Sequence, residues 1–198
     1  MTKLKTWLDF KQDYCADLVQ NIRDATWDLK LEEIARLMNE ARTYGGTIFV
    51  CGNGGSAAIA NHVAIDLNKV ANSSPARGPF RCVSLTANPS ELTAWANDDE
   101  YASVFSNQLA VLADKGDLVF LISASGTSPN IVEAGRWCQE NGVASVLFTS
   151  DMKPADNRAC SDVQLTVESS HYGRIEDTHM YVLHLLCYAF KEGLLWNR

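Results

Sequence analysis

Two groups of side chains in this chain have the types and spacing for proton chemistry. His62 and Asp66 stand four residues apart in a helix-forming stretch, so they share one helix face and lie close enough to act together. Near the carboxyl end, Glu176, His179 and His184 fall in a second helical stretch. Glu176 and His184 differ by eight positions, roughly 80° around a helix axis, so both can lean towards one site. His179 and His184 differ by five, roughly 140°, and cannot both do so. An imidazole beside a carboxylate can take a proton from a substrate and return it elsewhere. The same residues also have plain structural uses. A His–Asp pair forms on solvated helix faces, acidic residues such as Glu176 and Asp177 favour a helix start, and a histidine in Val182-Leu183-His184-Leu185-Leu186 can be a hydrogen-bonded core residue. His171, before Tyr172-Gly173, reads as structural or as part of a rim.

The elements that must position these groups are legible around them. Thr47-Ile48-Phe49-Val50-Cys51 runs as a strand into Gly52-Asn53-Gly54-Gly55-Ser56, and a helix follows through Asp66 with Ser56 placed to cap it. A glycine-rich turn into a helix start lets an anion approach unpaired backbone N–H groups. A second loop, Ser123-Ala124-Ser125-Gly126-Thr127-Ser128, follows the continuous apolar run Leu118 to Ile122. Its hydroxyls can donate to a phosphate without adding positive charge. Further strands are expected at Phe80 to Leu85, Val143 to Phe148 and Val163 to Val167. Helices are expected at Asn88-Pro89 onward until Asn97-Asp98-Asp99-Glu100 breaks the run, at Tyr101 to Ala113, at Asn130 to Glu140 and at Arg174 to Leu195. Asn72 to Pro79 is a loop by composition.

Strands alternating with helices imply a five-stranded parallel sheet with helices on both faces, in the doubly wound, flavodoxin-like order 2-1-3-4-5. Ligands in such sheets bind beyond the carboxyl ends of the strands, at the switch between the first and third. The two hydroxyl- and glycine-rich loops end those two strands. Ahead of the sheet, amphipathic helices at Leu4 to Ile22 and about Leu31 to Thr43 form an N-terminal helical extension, the second stopping at Gly45-Gly46. The first must bury its apolar stripe against its own domain or another subunit. The expected organisation is one domain over 1–198, with helices in 1–44 and the sheet in 45–198.

At 198 residues and a net charge of −7, the chain carries no clustered Lys/Arg footprint for nucleic acid. Its six cysteines include no C-x-x-C pair, which points to a reducing compartment. With no signal-peptide pattern and no apolar run of spanning length, a soluble cytoplasmic protein with no membrane partner is expected.

Cys51-Gly52-Asn53-Gly54-Gly55-Ser56-Ala57, Ser123-Ala124-Ser125-Gly126-Thr127-Ser128 and Arg174-Ile175-Glu176 through His184 together resemble the sugar isomerase (SIS) domain, and within it the sedoheptulose 7-phosphate isomerase (phosphoheptose isomerase) family. The resemblance implies a homotetramer with active sites at subunit interfaces, converting sedoheptulose 7-phosphate to a heptose 7-phosphate for surface-polysaccharide precursors. It implies that Ser123, Ser125 and Ser128, with Ala124 in the same loop, hold the phosphate, and that Asn53, Gly54, Gly55 and Ser56 shape the sugar side. Asn97 and Asp98 match a ligand-contacting pair, and Glu176 stands at a ligand position. The acid/base residues fall on Asp66 and His184, and the zinc site of some members falls on His62, Asp66, Glu176 and His184.

The resemblance has departures. Asp66 stands where better-known members have glutamate, and Glu176 where they have glutamine. Val70 and Gly173 replace an arginine and an aspartate. Similar tetramers lacking both the carboxylate and the last-helix histidine serve as non-catalytic scaffolds for a replication initiator. This chain keeps ionisable residues at both positions, which favours an enzyme acting through an enediol intermediate.

Overall fold

The computed structural model describes residues 6–24, 26–73 and 78–194. Leu4, part of the first expected helix, and positions 74–77 of the expected loop lie outside them. The chain opens with two helices, α1 (Trp7–Ile22) and α2 (Thr26–Thr43). It then alternates through β1 (Ile48–Gly52), α3 (Gly55–Ile65), β2 (Cys82–Ser84), α4 (Pro89–Asp98), α5 (Val104–Leu112), β3 (Leu118–Ile122), α6 (Pro129–Asn141), β4 (Ala144–Ser150), β5 (Val163–Val167) and α7 (Tyr172–Lys191). The five strands are all parallel, in the order β2-β1-β3-β4-β5.

The sheet is covered on both faces, which is why β1 and β3 read as unbroken apolar runs. On one face Val50, Phe120 and Phe148 pack with α2, α3 and α7 through Ile34, Val63 and Leu183. On the other, Phe49, Val119 and Leu147 pack with α5 and α6 through Phe105 and Ile131. Helices α3 and α7, which carry the ionisable residues, therefore lie together on the first face.

Several boundaries differ from expectation for local reasons. Helix α2 begins at Thr26 rather than Leu31, because buried Trp27 anchors a first turn whose pattern is broken by exposed Leu29. Strand β2 is only Cys82–Ser84, an edge strand anchored by the Asn68 side chain, which bonds both the N–H and the C=O of Cys82 at 2.8 Å. Helix α4 ends at Asp98 with Asp99 as its cap, inside the expected break, and α7 starts at Tyr172, two residues before Arg174. Ser56 does not cap α3. Gly54 does, with φ at +53°, a positive-φ turn that lets the helix begin two residues sooner. Ser56 is instead buried within the first turn. Gly52 is required by close approach, since a Cβ there would meet the Ser56 backbone at 2.7 Å.

Candidate active site

Helix α3 does not continue as an α-helix past Ile65. From Asp66 to Val70 it opens into a π turn, in which the Ala71 N–H bonds the Asp66 carbonyl five residues back. The widening begins after Asp66, whose own N–H still bonds the His62 carbonyl four residues back as in an α-helix, so Asp66 keeps the helix face of His62. Asp66 is 8% exposed, against α7. Its Oδ2 lies 3.5 Å from His62 Nε2 and 3.3 Å from His184 Nε2. The two histidine nitrogens are 2.9 Å apart, their rings edge to face at 75°. At that distance only one nitrogen carries a proton, so one ring donates and the other accepts, unless both turn lone pairs to a cation.

The three ligand atoms lie within 4.8 Å of one another and could hold a metal ion. A tetrahedral ion with bonds of about 2.0–2.1 Å sets its ligands about 3.3 Å apart, close to the separations found here. Two imidazoles and a carboxylate suit Zn²⁺, with a fourth position open. Glu176, the fourth expected ligand, is not in this cluster. It sits two helical turns before His184, about 12 Å along α7, and its carboxylate packs against Gly55, leaving no room for a side chain there. Cys187 is near Asp66, but burial, reinforced by the Asp66 charge, pushes its thiol up to about 12 and keeps it protonated.

The serine loop forms the other half. Gly126, at φ +69°, turns the loop so that its N–H bonds the carbonyl and hydroxyl of Ser123, at 3.0 and 3.1 Å. Ser123 and Ser128 hydroxyls are 3.4 Å apart, and Ser125 accepts from the Thr127 N–H at 3.3 Å. The Ala124 carbonyl accepts from the Ser150 hydroxyl at 2.7 Å, which ties the loop to β4. Ser123, Ala124, Ser125 and Ser128 line a cavity of about 110 Å³ with Asn53, Ser56, Ile122, Tyr172 and Glu176. The lining holds one carboxylate and no cation. Asn97 and Asp98 do not line it. Both are exposed at the end of α4, and the Asn97 amide donates to Asp98 at 3.0 Å.

The two remaining histidines have other places. His179 is fully buried, its Nε2 3.1 Å from the Thr149 carbonyl. Burial pulls its pKa down to about 4, so it stays neutral in the core. His171 caps α7 with its ring edge-on to Tyr14 at 5.6 Å. Gly173 lies beside the same tyrosine, where a Cβ would meet the Tyr14 hydroxyl at 2.9 Å. That hydroxyl bonds Asp177 at 2.6 Å, and Arg174 pairs with Asp17, so the start of α7 is clamped to α1.

Three residues of the site escaped the sequence reading. Tyr172 lines the cavity, and Asn130 and Tyr101 both bond Asn53. Asn130 beside a helix-opening proline was the only signal; nothing local marks the two tyrosines. Two larger clefts, of about 710 and 610 Å³, lie elsewhere among the described residues, around the amino ends of β4 and β5 and along α2, and the Arg36 found there is paired with Glu33 and Glu40.

The fold and site define a doubly wound α/β protein with a polar crevice between the glycine turn after β1 and the serine loop after β3. The chain matches the SIS domain over residues 12–150 and belongs to that family. Within it, the chain belongs with the phosphoheptose isomerases, a family of sugar-phosphate isomerases. It is 37% identical to the phosphoheptose isomerase of Campylobacter concisus over 82% of this chain and 85% of that one. It is 35% identical to that of an Azoarcus species over 79% and 80%. Among solved structures, the phosphoheptose isomerase of Neisseria gonorrhoeae superposes with a TM-score of 0.79 at 27% identity, over 94% of this chain and all of that one. That of Francisella tularensis gives 0.82 at 25%, over 95% and 100%. Among the described residues no helix is long and apolar enough to cross a membrane.

Proposed function

We propose that this protein is an aldose–ketose isomerase that interconverts sedoheptulose 7-phosphate and a heptose 7-phosphate through an enediol, supplying surface-polysaccharide precursors. One observation carries the reading. Helices α3 and α7 each bear a residue at the serine-lined cavity, Ser56 and Glu176, and then acid/base residues further along, His62 with Asp66 and His184. The offset is about 9 Å along α3 and about 12 Å along α7. Such a span fits a substrate whose phosphate and reacting carbons stand at opposite ends of a long sugar.

In this reading Ser123, Ser125 and Ser128 donate to the phosphate oxygens, and Asn53, Gly54, Gly55 and Ser56 form the sugar side. Asp66 and His184 share the proton transfers. A base takes the proton from C1 of the ketose while an acid protonates the C2 oxygen, giving the enediol. Return of a proton to C2 with loss of the O1 proton gives the aldose, with no net change in atoms or electrons. Alternatively, His62, Asp66 and His184 would hold Zn²⁺, which when bound would polarise the carbonyl and stabilise negative charge on oxygen, leaving the Asp66 oxygen not on the ion to move the proton. The shorter Asp66 still lies within 3.5 Å of both histidines, from the helix face it shares with His62. The enzyme works as a cytoplasmic homotetramer. Exposed apolar residues, Trp7 and Val19 on α1 and Tyr181, Leu185 and Tyr188 on α7, support subunit contacts.

A coupled assay with sedoheptulose 7-phosphate, run with and without a chelator, tests the reading. Turnover is expected, and its loss on chelation with recovery on added Zn²⁺ supports the metal. No turnover at any metal concentration refutes the isomerase.

A further inference from the structure

We propose that Asn130 and Tyr101 are positioning residues that fix the Asn53 amide as a one-way hydrogen-bond donor to the bound sugar; the identity of that ligand rests on the function proposed above. Asn130 is the second residue of α6 and is 1% exposed. Its side chain meets that of Asn53, 77 residues away, in a closed amide pair. Asn53 Nδ2 donates to Asn130 Oδ1 at 2.8 Å, and Asn130 Nδ2 donates to Asn53 Oδ1 at 2.9 Å. The Tyr101 hydroxyl donates to the same Asn53 Oδ1 at 3.0 Å.

An asparagine amide offers two N–H donors and one carbonyl oxygen with two acceptor sites. Both acceptor sites of Asn53 are taken, one by Asn130 and one by Tyr101, and so is one of its N–H groups. What remains is a single N–H, on a residue that lines the cavity with Ser56 and Ser123. Turning the Asn53 amide over by itself would set its oxygen against that of Asn130; turning both amides keeps the pair but puts an Asn53 N–H, in place of its oxygen, against the Tyr101 hydroxyl. With Tyr101 as the donor, the amide is held with one N–H free, and it selects an oxygen acceptor on the ligand. The pair also bridges the loop after β1 to the helix after the serine loop, so the two halves of the cavity keep a fixed separation. Tyr101, in the short turn between α4 and α5, links that segment to Asn53.

Two readouts test this. In the ligand-free protein, side-chain hydrogen exchange by NMR is expected to show one Asn53 Nδ2 proton at least about tenfold slower than the other, and Asn130→Ala is expected to abolish the difference. Equal exchange in the native protein overturns the proposal. With sedoheptulose 7-phosphate, Asn130→Asp is expected to raise KM about tenfold and the exposed-site Tyr101→Phe about threefold, with kcat within about twofold. In an Asn53→Ala background neither substitution should raise KM further, whereas independent, additive losses overturn the proposal. A native protein that neither binds nor turns over the sugar phosphate refutes the isomerase reading instead, and the exchange measurement then decides the positioning role by itself.

Discussion

His62 and His184, 122 residues apart in sequence, point their Nε2 atoms at each other across 2.9 Å, with the Asp66 carboxylate within 3.5 Å of both. Two imidazoliums cannot occupy that arrangement, whereas two neutral rings and a carboxylate can share one cation or one proton.

Metal binding follows from that geometry. The native protein is expected to take up one Zn²⁺ per chain by calorimetry and to gain thermal stability on binding. His62→Ala is expected to weaken binding at least about tenfold, while Glu176→Gln leaves the stoichiometry at one. Equal weakening by Glu176→Gln would show that the carboxylate two turns away moves in to complete the shell.

Glu176 instead bears on the anion. Its carboxylate lines a cavity whose lining holds no cation, so it would oppose a phosphate dianion bound there. Replacing it by glutamine is expected to lower KM for the sugar phosphate on the order of tenfold at low ionic strength, and less at high salt. An unchanged or raised KM would mean that the carboxylate takes a favourable contact from the substrate.

The buried His179 makes stability depend on acid. Its pKa lies at about 4 in the folded protein, against an ordinary value near 6.5, so between these values the unfolded chain binds the extra proton. Stability is then present above about pH 6.5 and falls by about 3 kcal/mol as the pH drops to about 4. Urea unfolding of the native protein and of His179→Gln across this window checks it. The variant should lose about one proton's worth of slope, and an unaltered slope would contradict the assignment.

Much of the fold is written locally. Leu118 to Ile122 is bounded in sequence as it is in space because a strand covered on both faces must be apolar, and Val163 to Val167 because its buried Val163, Leu165 and Val167 alternate with Gln164 and Thr166 at a sheet edge. The 140° between His179 and His184 likewise separates a core histidine from a site histidine through helix geometry alone. The place of Asp66 beside His62 follows from the same helix geometry, whereas the approach of α7 that brings His184 to both is not marked by any spacing rule. Glu176 enters the metal set through the family resemblance; here it stands about 12 Å along α7 from His184, apart from the His62, Asp66 and His184 group. Asn130 and Tyr101 act through contacts across 77 and 48 residues, which one sequence does not reveal.

The most direct test compares initial rates on sedoheptulose 7-phosphate for the native protein, Asp66→Asn and His184→Ala, each first checked for unchanged size by light scattering. Both substitutions are expected to lower kcat by at least about a hundredfold, the scale of a lost acid or base. Full activity in either variant would contradict the assignment of proton transfer to Asp66 and His184.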